Sequence, residues 1–286
     1  MIDPERLSLC SGTLLHARSL REKLEAASGA GFRGVSLWYQ DYLSARAGGL
    51  GDADIRSMLD GLGLRVHEMD SVARWLPGGA APADASPVIR QMLSFDEREL
   101  LAAAAAIGAH TVIAIDLLGI RPDPHEAAAA FARLCDRAGE FGLAVGLEFM
   151  PFSGIPDLAT GLAIVERAGR ENGGLNVDAW HLFRSNSPLD LLDRVDGRRV
   201  KLVQLSDAPA RPPADIATET GAGRLLPGQG DINLPGLLRC LDRIGTPAPI
   251  GIEIFSDALR ALPPRETARL AMQSTRAVLE RAFPRH

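Results

Sequence analysis

The chain has 286 residues, of which 46% are hydrophobic and 23% are charged, and its formal net charge is −5. This is the composition of a globular protein with a sizeable core, and the negative charge with scattered arginines argues against a nucleic-acid-binding surface. Three widely spaced cysteines exclude a disulfide framework, and the N-terminal MIDPERLSLC lacks a signal-peptide pattern, so we expect a cytoplasmic protein that does not enter membranes.

Short apolar or β-branched runs alternate along the chain with longer segments of helical period. The predicted strands are 6–10, 34–38, 64–69, 111–116, 144–149, 175–180, 200–205 and 250–255. The predicted helices are 19–30, 53–62, 94–109, 125–141, 158–170, 188–195, 234–244 and 265–282. Glycines that follow two of these helices, Gly31 and Gly63, are typical of left-handed helix caps.

Eight strands that alternate with eight helices predict a single α/β domain over residues 1–286, a (β/α)8 TIM barrel with a parallel sheet. A doubly wound open sheet is the alternative. Against it, the first strand is not followed by a GxGxxG motif, and the sequence contains no Walker loop. Two longer segments, 71–93 and 206–233, have the length expected of lids over the barrel mouth.

Polar side chains recur near the C-terminal ends of the last four predicted strands. Side chains along a barrel strand alternate between the interior and the helix layer, so residues of one parity share the inside. The small residues Gly146 and Gly251 and the polar residues of their strands have the same parity. We therefore expect four side chains to converge inside one end of the barrel: Glu148, Asp178, Gln204 and Glu253.

Three converging carboxylates repel one another unless a cation lies among them. Oxygen donors from Asp, Glu and Gln suit a hard divalent ion, so the sequence predicts one Mg2+ or Mn2+ ion, with Co2+ or Zn2+ as alternatives. The opposing interpretation is that each carboxylate is neutralised by an arginine or by backbone amides.

Five segments carry a resemblance to a known family: GLEFMP, NVDAWHLFR, VQLSDAP, LPGQGDI and IEIFSD. They resemble the xylose isomerase-like TIM-barrel superfamily of sugar phosphate isomerases and epimerases, inosose dehydratases and 3-dehydroshikimate dehydratases. The resemblance implies that Glu148, Asp178, Gln204 and Glu253 bind one divalent metal ion. It also implies roles for a His three residues after the strand-six Asp, matched by His181, and for an Arg in the strand-seven loop, matched by Arg224.

Two features depart from the ketose epimerases of that superfamily. Many of those enzymes have His as the strand-seven ligand and a second Glu shortly after the strand-five ligand, whereas this chain has Gln204 and the carboxylate-free run FMPFSGIP. Gln at this position is similar to the 3-dehydroshikimate dehydratases. The superfamily's DNA-repair branch, which the resemblance implies to use several His around a multi-zinc cluster, fits poorly with six His and a negative net charge.

The resulting hypothesis is a metal-dependent isomerase or epimerase that acts on a small polyhydroxylated carbonyl compound. A proton next to the metal-polarised carbonyl is removed, and the enediolate is reprotonated elsewhere or expels a β-hydroxyl. A 3-dehydroshikimate or inosose dehydratase is the alternative, and a non-catalytic sugar- or metal-binding barrel is an alternative of another class. The substrate is expected to be a polyol, a ketose or a cyclic hydroxy-ketone, and the sequence leaves a homo-oligomer open.

Catalytic roles follow from this chemistry. His181 is the first candidate for proton transfer, because an imidazole titrates near neutral pH. Glu253 is the alternative base, and Glu148 is included because it holds the metal at the reacting carbonyl. Three further residues are predicted to bind substrate: His67, whose neighbour Glu68 has the opposite parity, for hydroxyl groups; Arg224 for a carboxylate or phosphate; and Trp38 for a sugar-ring face.

Overall fold

The computed structural model describes residues 3–78, 85–119 and 121–284. Eight parallel strands close into a barrel in chain order, and the last strand pairs with the first. The strands are β1 Leu7–Cys10, β2 Gly34–Trp38, β3 Arg65–Val72, β4 Thr111–Ala114, β5 Ala144–Glu148, β6 Gly173–Asp178, β7 Val200–Leu205 and β8 Ile250–Ile252. The prediction of a (β/α)8 barrel is therefore confirmed, and the doubly wound sheet is wrong.

Helices surround the barrel and fill its loops. In the described ranges they are α1 Leu20–Ala30, α2 Tyr39–Ala47, α3 Asp52–Gly61, α4 Pro87–Met92, α5 Glu97–Ala106, α6 Pro124–Gly139, α7 Leu158–Ala168, α8 Ala179–Arg184, α9 Leu189–Leu192, α10 Ile216–Ala222, α11 Leu234–Arg243, α12 Asp257–Arg260 and α13 Pro264–Ala282. The predicted lid segments contain α4 and α10, although residues 79–84 lie outside the described part of the chain. No helix in those ranges is long and apolar enough to cross a membrane.

Strand β6 begins and ends two residues earlier than predicted, because Asp178 starts a helix instead of continuing the strand. The Asp178 side chain accepts hydrogen bonds from the backbone N–H groups of Trp180 and His181, at 2.7 and 2.9 Å. This is an N-cap, and it turns the chain into α8 directly after the strand. The predicted glycine caps are confirmed, with φ of 91° at Gly31 and 65° at Gly63.

The main hydrophobic core lies between the strands and the helices, where outward-facing strand residues such as Leu147 and Val203 pack with helix residues such as Leu134. Gly146 and Gly251 face the interior, as the alternation predicts. A Cβ added at Gly251 would lie 2.6 Å from Sγ of Cys10, so the interior has no room for a side chain there.

A register shift changes the interior at β3. Val35 pairs with Val66 and Ser36 pairs with Glu68, so His67 is an extra residue opposite β2. The His67 ring lies against Gly34, and Glu68 Oε1 lies 3.5 Å from where a Cβ on Gly251 would be. Both side chains therefore face the interior, and the prediction that they point to opposite sides is wrong.

Candidate active site

The carboxyl ends of β5 to β8 bring the predicted polar residues to one end of the barrel. Glu148 is the last residue of β5, Asp178 is the last residue of β6, and Gln204 is the penultimate residue of β7. Glu253 directly follows β8. All four side chains are buried, with exposed fractions between 0% and 7%.

Glu148, Asp178 and His181 form a candidate divalent-metal site. Each offers one donor atom, and these atoms lie within 4.8 Å of one another. The Nε2 atom of His181 is 3.8 Å from Oε1 of Glu148. Carboxylate oxygen and imidazole nitrogen are common ligands of divalent metals in proteins. The structure thus places His181 among the potential ligands, whereas the sequence predicted it only as a neighbour of the metal.

Asn176 connects two of the predicted ligands. Its Nδ2 atom donates a hydrogen bond of 3.1 Å to Oε1 of Glu148 and one of 2.7 Å to Oε1 of Gln204. Its Oδ1 atom is buried and has no hydrogen-bond partner among the described residues. Sequence analysis assigned no role to Asn176, and the only signal for one was its shared parity with Asp178 on β6.

Arg224 lies inside the carboxylate group and is only 2% exposed. Its Nη1 atom donates to Oδ2 of Asp178 at 2.8 Å and is 3.6 Å from Oε2 of Glu253. Its Nη2 atom is 3.5 Å from Nε2 of His181 and donates to Oγ1 of Thr220 at 3.0 Å. The guanidinium therefore lies between Asp178 and Glu253.

Burial and the neighbouring charges together set the pKa values of the three carboxyl groups. Burial raises the pKa of Glu148 well above its usual value, and the neighbouring carboxylates of Asp178 and Glu253 raise it further. Burial likewise raises the pKa of Glu253, although the Arg224 charge opposes this effect. Burial also acts to raise the pKa of Asp178, but Arg224, His181 and two backbone hydrogen bonds together hold it below its usual value. Asp178 is therefore the carboxylate that most readily stays charged.

His181 is neutral in this environment. Its pKa is lowered to about 3, mainly by burial and also by the Arg224 charge, while Asp178 acts in the opposite direction. The Nδ1 atom of His181 is buried and unpartnered within the described ranges. Its ring packs edge-on against Trp180 and against the partly exposed Phe152, with centroids 5.1 and 5.9 Å apart.

Two acids on β3, Glu68 and Asp70, extend the group towards β1 and β2 and were missed as site residues. Burial raises the pKa of Glu68 to about 8 and that of Asp70 to about 6. The Cys10 thiol lies 3.9 Å from Oε1 of Glu68, while Oε2 of Glu68 has no described partner. The register shift that turns Glu68 inward leaves no trace in the sequence.

The three predicted substrate-binding residues occupy different places. Trp38 ends β2, and its ring lies 6.0 Å from that of Phe255, which packs in turn on the Arg224 guanidinium. His67 lies against Gly34, the first residue of β2, at the end of the barrel opposite to the carboxylates. The structure does not bring His67 to the site, so its predicted contact with substrate has no support.

A second buried arginine anchors the loop that carries Arg224. Arg184 on α8 makes a bidentate pair with Glu219 on α10, at 2.6 and 2.8 Å, and both side chains are at most 5% exposed. The Trp180 indole N–H also donates to Glu219, at 3.0 Å. In the same loop, Asp207 accepts backbone hydrogen bonds from Gly228 and Ile232. The segment predicted as a lid is therefore fixed to the barrel rather than loose.

Comparison with known proteins places these features in a family. The profile described as Xylose isomerase-like TIM barrel matches residues 24–278. A 3-dehydroshikimate dehydratase of Pseudomonas aeruginosa is 29% identical over 275 residues, which are 93% of this chain but only 42% of that protein. An inosose isomerase of Bacillus velezensis is 27% identical over 201 residues, covering 68% of this chain and 70% of that one.

The fold has a close counterpart among solved structures. The IOLI protein with a bound zinc atom superimposes with a TM-score of 0.83, covering 98% of this chain and 99% of its own. Its sequence is only 20% identical, so the likeness concerns the fold.

Proposed function

Because the chain belongs to the xylose isomerase-like TIM barrel family, we propose that it is a divalent-metal-dependent enzyme that isomerises or epimerises a small polyhydroxylated carbonyl compound. The observation that carries this proposal is the buried group of Glu148, Asp178 and His181, with donor atoms within 4.8 Å of one another. Active sites of TIM barrels lie at this end, where the strands' carboxyl ends meet.

Glu148 and Asp178 would hold the ion, with Gln204, Glu253 and His181 as further donors. The fit rests on the mixed oxygen and nitrogen donor set and on the buried, unpartnered Nδ1 of His181 among the described residues. Oxygen donors favour Mg2+ or Mn2+, while an imidazole ligand also suits Zn2+ or Co2+. When bound, the ion supplies the positive charge that polarises a substrate carbonyl.

Glu253 is the proposed acceptor of the proton that is removed next to the carbonyl, and the Arg224 charge beside it favours the ionised form that can accept a proton. His181 is the alternative base. It is the weaker candidate because it would serve as a ligand of the ion and because burial lowers the pKa of its imidazole to about 3. The Phe152 ring packs edge-on against the His181 ring.

A neutral substrate fits the charges of the site better than an anionic one. Arg224 is already paired with Asp178 and Glu253, so it offers no free positive charge to a substrate carboxylate or phosphate. The relative named as an inosose isomerase supports a cyclic hydroxy-ketone. In this proposal Trp38 packs against the ring face of the substrate.

Dehydration is the second candidate. It is favoured by the relative named as a 3-dehydroshikimate dehydratase, which matches 93% of this chain, and by Gln204 in place of a His. The first step is the same proton removal, after which a β-hydroxyl leaves as water. The two reactions therefore need the same residues and differ in what the substrate can expel.

Incubation in D2O separates the candidates. Inososes, ketoses and 3-dehydroshikimate would each be supplied with Mn2+, Mg2+, Co2+ or Zn2+ and followed by proton NMR. An isomerase or epimerase exchanges deuterium into the position next to the carbonyl, whereas a dehydratase forms a conjugated product that absorbs in the ultraviolet. A non-catalytic barrel gives neither, although metal still raises its melting temperature. Glu148→Gln and EDTA serve as controls, and turnover that survives both would contradict the proposal.

A further inference from the structure

Asp70 differs from the other aspartates at the barrel mouth, the end where the strands' carboxyl ends meet. Asp178 pairs with Arg224, and Asp116, just after β4, accepts two backbone N–H groups at 2.9 and 2.6 Å. Asp70 has neither an ion pair nor a backbone N–H donor among the described residues. Because a carboxyl group in an interior is costly without such partners, its place here indicates a ligand that supplies them.

The position of Asp70 is across the mouth from the proposed metal site. Asp70 pairs in register with Trp38, the last residue of β2, and its charge acts on the pKa of Glu148 and of Glu253 across the interior. Because eight strands close in chain order, β2 lies opposite β6, which ends at Asp178. A small ring compound that is held at the metal site would therefore extend towards Asp70.

The groups around Asp70 are polar and unsatisfied. Burial is the largest effect on Asp70 and raises its pKa to about 6, while the side chains of Ser71 and Trp38 act in the opposite direction. Yet neither the hydroxyl of Ser71, which is 2% exposed, nor the buried indole N–H of Trp38 makes a hydrogen bond of normal geometry with any described residue. Oε2 of Glu68 is unpartnered in the same ranges. Asp70 itself is partly exposed, so a ligand can reach it.

This combination of groups suits hydroxyl groups. A hydroxyl group both donates and accepts hydrogen bonds, and here a carboxylate acceptor lies beside an indole donor and a hydroxyl. A ligand carboxylate or phosphate would instead meet the negative charges of Asp70, Glu148 and Glu253.

We propose that Asp70, with Ser71 and Trp38 beside it, binds the hydroxyl groups of the substrate that lie farthest from the metal. This inference rests on the proposed function, since it concerns the same substrate. It makes Asp70 a specificity-determining residue, and it narrows the substrate to a neutral compound with hydroxyl groups at both ends, such as a cyclic polyhydroxy-ketone.

The test compares two ring compounds that have no carbonyl and so are not turned over. myo-Inositol has hydroxyl groups all round its ring, whereas cis-1,2-cyclohexanediol has only the two adjacent groups that a metal can chelate. Proton NMR titrations with MgCl2 present give both Kd values. The wild type should prefer myo-inositol by about tenfold or more, and Asp70→Ala should weaken myo-inositol binding roughly 10–100-fold but leave the diol unchanged, because only the distant hydroxyl groups lose a charged acceptor.

Asp116→Ala is the matched control. Asp116 is also an aspartate at the mouth, but its carboxylate is satisfied by backbone N–H groups. This variant should melt at a lower temperature and should change the binding of both compounds alike. Asp70→Asn keeps an acceptor oxygen and should retain more myo-inositol binding than Asp70→Ala, and it provides the comparison if Asp70→Ala does not fold.

A purely structural role for Asp70 predicts a different pattern. Its loss would then lower the melting temperature and weaken both compounds equally. The binding role predicts a melting temperature of Asp70→Asn, without metal, that is equal to or higher than that of the wild type, because a negative charge near Glu148 and Glu253 is removed.

The outcomes separate this inference from the proposed function. A wild type without a preference for myo-inositol, or equal losses of both compounds in Asp70→Ala, overturns the hydroxyl-binding role. Metal binding and deuterium exchange by that wild type would still leave the metal-dependent function standing. A preference for myo-inositol that Asp70→Ala removes, in a wild type that binds no metal, supports the role of Asp70 and contradicts the metal-dependent function.

Discussion

Two buried acids, one in each half of the barrel interior, have pKa values that are shifted in opposite directions. Glu68, on the β1 to β3 side, and Asp178, on the β5 to β8 side, are equally buried, at 1% and 0% exposure. Burial raises the pKa of Glu68 to about 8, whereas the pKa of Asp178 falls below its usual value beside the Arg224 guanidinium. Arg224 therefore keeps Asp178 charged, whereas at Glu253 the effect of burial is larger than that of the same arginine and the pKa stays raised.

The buried acids of the two halves also have different neighbours. The neutral half holds Glu68 next to the Cys10 thiol, as a packed interior does. The charged half holds Asp178 and Glu253 together with the Arg224 cation, next to the proposed metal site. Mutations in the charged half should therefore change metal affinity, and mutations in the neutral half should change stability.

The largest effect is expected from Glu148→Gln in the charged half. Loss of a ligand charge should weaken Mn2+ binding by about 100-fold or more, beyond the 10–100-fold typical of residues that only support a ligand. Turnover should fall with it. The exposed Glu166→Gln on α7 is the control and should change neither quantity. Calorimetry and steady-state kinetics check both, and undiminished binding would remove Glu148 from the site.

Glu68→Gln tests the neutral half through pH. The folded state binds the Glu68 proton more tightly than the unfolded state, so the stabilising contribution is complete below about pH 4.5 and is lost as the pH rises through about 8. Between these values the metal-free wild type should lose on the order of 3–5 kcal/mol relative to Glu68→Gln. Urea unfolding with EDTA at several pH values measures this, and parallel pH profiles would contradict it.

Asn176→Leu tests how the charged half is organised. Leucine has a similar size but cannot donate to Glu148 and Gln204, so both side chains lose the group that orients them. We expect Mn2+ affinity to fall by roughly 10–100-fold, the range for residues that orient metal ligands. Calorimetry would show this as a weaker Kd. A purely structural role would instead lower the melting temperature and leave the Kd unchanged.

Gly251→Ala probes the boundary between the halves and should have the smallest effect. The new methyl group meets Sγ of Cys10 at 2.6 Å, so we expect a loss of about 1 kcal/mol from overpacking. Adding Cys10→Ala removes the sulfur and should restore part of that loss. Denaturant unfolding of the two single variants and the double variant tests the coupling, and strictly additive losses would place the strain elsewhere.

Much of the fold can be predicted from the sequence, because the apolar runs have the length of strands and the segments between them have the period of helices. The strands β2 and β7 were predicted residue for residue, at 34–38 and 200–205. The end of β6 was missed because a side-chain cap at Asp178, not a change in hydrophobic pattern, starts the next helix. Strand β8 ends at Ile252, so its acid Glu253 lies just beyond the ladder.

The predicted site was partly recovered for a similar reason. Alternation within a strand places Glu148 and Asp178 on the inside, and the structure brings them together. The partner of Asp178, however, lies 46 residues away in a loop whose path no periodicity encodes. The inward turn of Glu68 needs a register shift, and a register shift depends on how two strands pair rather than on the residues of either strand.

The N-cap formed by Asp178 limits which substitutions this position can accept. The same carboxylate that pairs with Arg224 also holds the first turn of the helix on which His181 is carried. A substitution at Asp178 is therefore expected to change both the proposed ion binding and the orientation of the His181 imidazole, so this position is a poor choice when variants are selected for new substrates. Phe152 is a better position for substitutions, because its side chain is exposed beside His181 and does not cap a helix.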